Sequence, residues 1–217
     1  GMHGKLGALD AFSHADLIIA IGTRFSDRTY SPHTAPGENC KVVHIDIDAT
    51  EFGKSNRDAV NILCDAKKGT QMLIDALSGY TDGHTKWDQT VSDYRKRCCC
   101  DQKTDAYPIN PKRVMYEINQ IINDDMIITT DVGQNQMWAM HYLHISKPRQ
   151  FISSGSMGTM GFGLPSALGA KAAKPDKTVM TIVGDGGLQM VIQELATSVA
   201  ENLPVVICLL NNGWLGM

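Results

Sequence analysis

Two long stretches of the chain alternate short β-branched runs with segments of helical period. In the first, Leu6, Leu9, Phe12 and Ala15 share one helix face, and Asp16 to Gly22 follows as an uninterrupted apolar run. Lys41 to Asp48 is a second β-branched run, with acidic residues toward its carboxyl end, and Val60 to Leu63 is a shorter apolar patch. Lys67 to Leu77 has helical spacing, with Met72, Leu73, Ala76 and Leu77 expected to face inward. Runs without polar alternation suit strands covered on both faces, so Asp16–Gly22 is expected to be fully buried.

The second stretch repeats the pattern more sharply. Pro108 to Pro111 forms a stiff lead-in, with Pro111 at the first position of a helix reaching Ile122. Met126 to Asp131 reads as a strand, Gln134 to Leu143 as a helix, Phe151 to Ser153 as a short strand, and Pro165 to Ala173 as another helix. Thr178 to Val183 and Val205 to Leu210 are two more apolar runs, expected to be buried strands. Between them Leu188, Val191, Ile192, Leu195, Ala196, Val199 and Leu203 recur at the spacing of a single crossover helix. Alternation of this kind predicts an α/β fold of two doubly wound parallel sheets, both expected to be incomplete. The glycine-bearing span Ser78 to Gly83 divides them, giving units 1–82 and 108–217 joined by an exposed, charged connecting helix within 83–107.

Composition narrows the classes. At 217 residues, 43% hydrophobic and a formal charge of −3, the chain has no electrostatic footprint for nucleic acid or an anionic membrane. No apolar run reaches transmembrane length. The six cysteines form no Cys-x-x-Cys pair, and Cys98, Cys99 and Cys100 are consecutive. Neighbours on a helix point about 100° apart, so three in a row do not converge on one ion, and reduced thiols in a cytoplasmic protein are expected.

The candidate chemistry lies at strand ends. Parallel strands joined by one crossover finish at the same sheet edge, about 5 Å apart. Asp185, after the first late strand, and Asn211 and Asn212, after the second, therefore arrive together. A carboxylate and a carboxamide beside a helix start suit magnesium carrying a diphosphate. The glycines from Gly155 to Gly163 do not follow a strand in the dinucleotide-binding spacing, so that fingerprint is rejected. In the first stretch, Arg24 at a strand end can pair with a phosphate, and Asp46 and Asp65 can accept from ribose hydroxyls or an adenine amine.

The run Gly184-Asp185-Gly186, the interval of about two dozen residues and Asn211-Asn212 closely resemble the thiamine diphosphate motif of the acetohydroxyacid synthase and pyruvate oxidase family. The likeness extends through Gln193 to Thr197, Asp131 to Trp138 and Ser156 to Pro165. It implies that Asp185, Asn212 and the backbone carbonyl of Trp214 hold Mg2+. It implies further that Gln134, Asn135, Gly186 and Gly187 meet the diphosphate, the last standing where the family often carries serine. Met160 would hold thiamine diphosphate bent, and the backbone around Gly158 would bond its aminopyrimidine.

Gly1 to Gly4, Gly22 to Arg28, His44 to Asp48 and Asp65-Ala66 each resemble segments of the central domain of acetohydroxyacid synthases. By that likeness His3, Gly22, Arg24, Asp46, Ile47, Asp65 and Ala66 line an FAD site. The implied reaction joins pyruvate to a second 2-oxo acid with loss of CO2, on the route to branched-chain amino acids. The implied assembly is a homodimer or homotetramer, with a regulatory subunit in some members. No catalytic residue falls in these 217 residues, because the activating glutamate of the family lies in an amino-terminal domain; the isolated chain is therefore expected to be inactive. Another 2-oxo acid decarboxylase or carboligase of the same fold, and a non-catalytic binding fragment, stay open as alternatives.

Overall fold

The computed structural model describes residues 1, 3–26, 28–30, 35–54, 59–81, 83, 85–96 and 105–217. The cysteine triplet at 98–100 lies outside the described residues. The chain divides into two compact units, Gly1–Cys99 and Cys100–Met217.

In the first unit, α1 (Leu6–His14) leads into β1 (Leu17–Ile21), followed by β2 (Lys41–Asp46), β3 (Ala59–Leu63), α2 (Ala66–Ala76) and α3 (Thr85–Lys96). The strands form one parallel sheet in the order β1-β2-β3, with Ile21 opposite Ile45 and Ile45 opposite Ile62. One face packs Ala20 and Val42 against Phe25. On the other, α2 lies so close to β2 that a Cβ on Gly69 would sit 2.6 Å from Ile45 Cγ2.

Three expectations change here. β1 is not fully buried: Leu17, Ile19 and Ile21 are exposed, because β1 is an edge strand and Ile45, one strand further in, is where α2 presses. For the same reason α2 turns Gly69 to the sheet and leaves Met72, Ala76 and Leu77 outside. The charged helix expected as an exposed connector is exposed along most of its length, but it belongs to the first unit and packs on α1. The backbone carbonyl of Tyr94 would lie 2.8 Å from a Cβ on Gly7, and the Tyr94 ring rests 5.6 Å from His14.

The second unit begins with α4 (Pro111–Ile121), whose first turn is capped by Asn110 Oδ1 accepting from the Lys112 amide. It continues through β4 (Met126–Thr130), α5 (Gln134–Tyr142), β5 (Phe151–Ser153), α6 (Gly163–Ala173) and β6 (Thr178–Gly184). Then come α7 (Asp185–Met190), α8 (Glu194–Ala200) and β7 (Val206–Leu210). The sheet is parallel, in the order β5-β4-β6-β7. Met115 and Ile118 of α4, Ala139 of α5 and Leu143 just after it bury one face, over Ile128 and Ile182. Ala167 and Ala170 of α6 bury the other against Val179.

Two expectations change in this unit. The single crossover helix is two helices, broken between Met190 and Glu194, and Ile192, Leu195 and Val199 face outward. β7 is an edge strand with Val206 and Leu209 exposed, since among the described residues it pairs with β6 alone.

The strand order decides where a ligand fits. From β4 the chain crosses toward β5 on one side, whereas from β6 it crosses toward β7 on the other. Right-handed crossovers running in opposite directions lie on opposite faces of a sheet. The segments leaving β4 and β6 therefore part at the carboxyl ends of these two neighbours, and the crevice between them is the switch point at which open α/β sheets bind ligands.

Candidate active site

The β4 side of the crevice is built by Val132 and Gly133. Gly133 adopts φ +136, a conformation L side chains rarely take, and turns the chain directly into α5. Gly133 rather than Asn135 occupies the helix cap, so Asn135 sits inside the first turn, only 5% exposed. Its Oδ1 is buried with no hydrogen-bond partner among the described residues. An orphaned amide oxygen at a strand-end crevice is costly unless something there satisfies it.

From the β6 side, Asp185, Gly186 and Gly187 open α7. Gly184 is in register with Leu210, which places Asn211 and Asn212 immediately beside Asp185 across the sheet edge. The two sides are joined directly: Asn212 Nδ2 donates to Gln134 Oε1 at 2.7 Å, while Asn212 Oδ1 accepts from the Trp214 amide at 3.1 Å. A cavity of about 120 Å³ is lined by Gln134, Asn135, Met160, Asp185, Gly186, Gly187, Asn212 and Trp214. Of the residues expected at the thiamine diphosphate and metal site, these meet there, whereas Gly158 does not border the cavity.

The volume is set by the last residues. A Cβ on Gly186 would be 2.8 Å from Leu215 Cδ2, and one on Gly216 would be 2.5 Å from Gln134 Cδ. Residues 215–216 thus lie over the helix start. About 120 Å³ is small beside the roughly 300 Å³ or more of a typical cofactor pocket, and matches a metal–phosphate end rather than a whole ringed ligand. The chemistry fits that end: a carboxylate and a carboxamide oxygen for a hard cation, close-set glycine backbone, and the Asn135 amide, whose Nδ2 can donate to an anion and whose unmatched Oδ1 can meet only a cation or a donor. No group of three or more His, Cys, Asp or Glu side chains among the described residues forms a metal site, so any ion here needs amide and backbone oxygens in addition to the Asp185 carboxylate.

Sequence reasoning missed the side chains that hold the crevice open. Asp131, fully buried at the end of β4, accepts from the amides of Val132 (2.8 Å) and Gly161 (2.9 Å) through Oδ1, and from Gly163 (2.9 Å) through Oδ2. Gly187 passes so near that a Cβ there would be 2.4 Å from Asp131 Oδ1. Gln136 is 2% exposed and donates to Ser153 Oγ at 2.6 Å; Thr130 Oγ1 donates to the same atom at 3.0 Å. The only sequence signal was an acid directly after a β-branched strand and a glutamine on the inner side of α5.

In the first unit the residues expected at an FAD site gather along the carboxyl edge of the sheet. Gly22 (φ +60) ends β1 and donates to the Ile45 carbonyl at 2.8 Å. Asp46 and Ile47 end β2; Asp46 Oδ1 accepts from the Asp48 amide at 2.9 Å, and Ile47 is exposed. Asp65 and Ala66 follow β3, where Asp65 Oδ1 caps α2 by accepting from Lys67 and Lys68. Gly1 packs on the backbone of Arg28 and Thr29, which brings the turn holding His3 to the loop that contains Arg24. His44 is core rather than lining: it is 2% exposed, bonded at 2.7 Å to the Thr23 carbonyl, and set edge-on between Phe25 and Phe52. No described helix is long and apolar enough to cross a membrane.

Comparison with known proteins agrees with both halves. Residues 1–73 match the thiamine pyrophosphate enzyme central domain, and residues 131–217 match the thiamine pyrophosphate enzyme C-terminal TPP binding domain. The whole chain aligns at 43% identity with a probable acetolactate synthase large subunit of Methanococcus aeolicus, covering 39% of that protein. It aligns at 40% with the acetolactate synthase isozyme 3 large subunit of Escherichia coli K12, again covering 39%, and at 42% with the chloroplastic acetolactate synthase 2 of Brassica napus, covering 34%. The chain therefore spans about two-fifths or less of the length of these curated relatives. With both its matched segments in the order these enzymes carry them, the chain belongs to the thiamine pyrophosphate enzymes, as part of their central and C-terminal domains.

Proposed function

We propose that these residues are the cofactor-holding part of an acetolactate synthase, a carboligase that joins pyruvate to a second 2-oxo acid with release of CO2. The observation that carries this reading is the meeting of Gln134, Asn135, Met160, Asp185, Gly186, Gly187, Asn212 and Trp214 around one crevice at the switch point. Its support from outside the chain is the identity of 40–43% to large subunits of acetolactate synthase over the full 217 residues.

In this reading Asp185, the Asn212 side chain and the Trp214 carbonyl hold Mg2+. Gln134, Asn135 and the backbone at Gly186 and Gly187 hold the diphosphate, and Met160 supports the rings, with the backbone near Gly158 beside them. Thiamine diphosphate supplies a nucleophilic carbon that adds to a 2-oxo acid and accommodates the electrons left when CO2 departs. The chain's own part is to bind, orient and exclude water. Asn212 ties the metal side to the diphosphate side through Gln134. Asn135, buried at the cavity wall, offers its Nδ2 donor to the anion. Gly22, Arg24, Asp46, Ile47, Asp65 and Ala66, with His3, form an FAD site along the other sheet edge. The working protein is a homo-oligomer, and a regulatory small subunit follows from the large-subunit names of the relatives.

The test uses the full-length protein with Mg2+ and thiamine diphosphate. Acetolactate from pyruvate, and the mixed product when 2-oxobutyrate is added, are expected. A protein that binds the cofactor and only decarboxylates or oxidises pyruvate refutes the carboligase reading; bound yellow flavin tests the FAD site separately.

A further inference from the structure

The loop 154–162 carries Gly158 and Met160 under the place assigned to the cofactor rings, yet Gly155, Ser156, Met157 and Thr159 are exposed. By contrast α5, which carries Gln134 and Asn135, is fixed by Ala139 in the apolar core. The far end of this ring floor is already tied beside the diphosphate clamp by Asp131, which accepts from the amides of Gly161 and Gly163, so keeping one spacing calls for a second link at the start of the loop. That second link is polar and part-buried. Gln136, one turn into α5, donates through Nε2 to Ser153 Oγ at 2.6 Å, at the point where β5 passes into the loop. Thr130, at the end of β4, donates to the same oxygen at 3.0 Å. Ser153 Oγ accepts from both, so its own hydrogen is free to be donated, and the position of the loop start is fixed from helix and strand together.

We propose that Gln136 and Ser153 are positioning residues for the thiamine cofactor, setting the ring floor at a fixed distance from the diphosphate clamp. This rests on the thiamine diphosphate reading of the site. Neither residue borders the cavity, so both act through the loop and through Met160.

The consequence is a split between two ligands that share a diphosphate. Mg-pyrophosphate needs the clamp alone, whereas Mg-thiamine diphosphate needs clamp and floor in register. In calorimetric titrations of the full-length protein, Ser153→Ala and Gln136→Met are expected to weaken thiamine diphosphate about tenfold while leaving pyrophosphate within about twofold of wild type. Ser153→Thr, which keeps the oxygen, is expected to restore thiamine diphosphate binding. Equal weakening of both ligands, or no weakening of either, overturns the proposal. Failure of Ser153→Thr to restore binding overturns it as well. If the unaltered protein binds pyrophosphate but gains nothing from the thiamine rings, the cofactor reading itself fails, a result distinct from failure of the positioning pair.

Discussion

Gly187, in the first turn of α7, has its space set by one neighbour. A Cβ at this position would lie 2.4 Å from Asp131 Oδ1 and 2.6 Å from its Cγ. Asp131 cannot swing aside freely, because both its oxygens are engaged by the amides of Val132, Gly161 and Gly163. Gly187→Ser therefore displaces the carboxylate, at an overpacking cost of about 2 kcal/mol. That corresponds to roughly a 30-fold rise in the opening equilibrium of the bonds it breaks. Asp131→Ala removes the obstacle but leaves the same amides unpaired, costing about 3 kcal/mol. The two effects are not independent. Removing the carboxylate removes the three atoms nearest a Cβ at 187, so the double variant should match Asp131→Ala alone, a coupling of about 2 kcal/mol. Amide hydrogen exchange at Gly161 and Gly163 reads this locally. Exchange should quicken about 30-fold in Gly187→Ser and more in Asp131→Ala, with no further increase on combining them. Unchanged exchange in Gly187→Ser, or strictly additive effects in the double variant, would show that Asp131 and Gly187 do not constrain each other.

The metal side gives the largest expected loss: Asp185→Ala should weaken Mg-dependent binding of thiamine diphosphate at least 100-fold by calorimetry, with the unfolding temperature little changed. Asn212→Ala should weaken it less but also free Gln134, which a loss of order at the Gln134 side chain in NMR spectra would report. In the core, Ile128→Ala, at a fully buried position, should cost about 2–5 kcal/mol and lower the unfolding temperature of the second unit. In the first unit, the Thr50 hydroxyl and amide, donating to Asp48 Oδ1, hold the Asp48 carboxyl below the usual carboxylate range. A lowered folded value adds stability above the ordinary carboxylate value, near pH 4, and loses it as pH falls through the lowered one. Thr50→Val should move the Asp48 NMR titration midpoint back upward.

Both sheets were legible because parallel strands buried between helices leave continuous apolar runs, and the Thr178–Val183 run is covered as such runs predict. What the runs do not encode is which strand lies at an edge. Leu17, Ile19, Val206 and Leu209 have the composition of core strands, but their exposure follows from strand order, a property of the whole chain. The single crossover helix was misjudged because period alone does not register a break: Val191 to Gln193 continue the apolar spacing while the backbone turns. The site residues that touch the cavity were readable, since Asp185 and Asn212 sit at strand ends whose register is forced by one crossover. Asp131, Gln136 and Ser153 were not, because apart from the adjacent Val132 amide their partners are 17 to 32 residues away and include backbone amides that carry no sequence signature.

That division points to how the site is made. Asp131 gives three acceptor directions to amides of the protein, and Gln136 and Thr130 each donate to Ser153, so these groups are committed to fixing geometry. Asn135 is as deeply placed, at 5% exposure, yet its Oδ1 is unmatched and it borders the cavity. Burying an unmatched amide costs about 1–3 kcal/mol in the free protein. A cation, or a ligand group or ordered water that donates to this oxygen, recovers that cost on binding, while the diphosphate oxygens, acceptors themselves, would meet the Asn135 Nδ2 donor instead. The same segment, 131–136, thus alternates residues committed to structure with residues held in reserve. Asn135→Ala should accordingly leave folding unharmed or slightly improved while weakening diphosphate binding, the opposite sign pattern to Asp131→Ala.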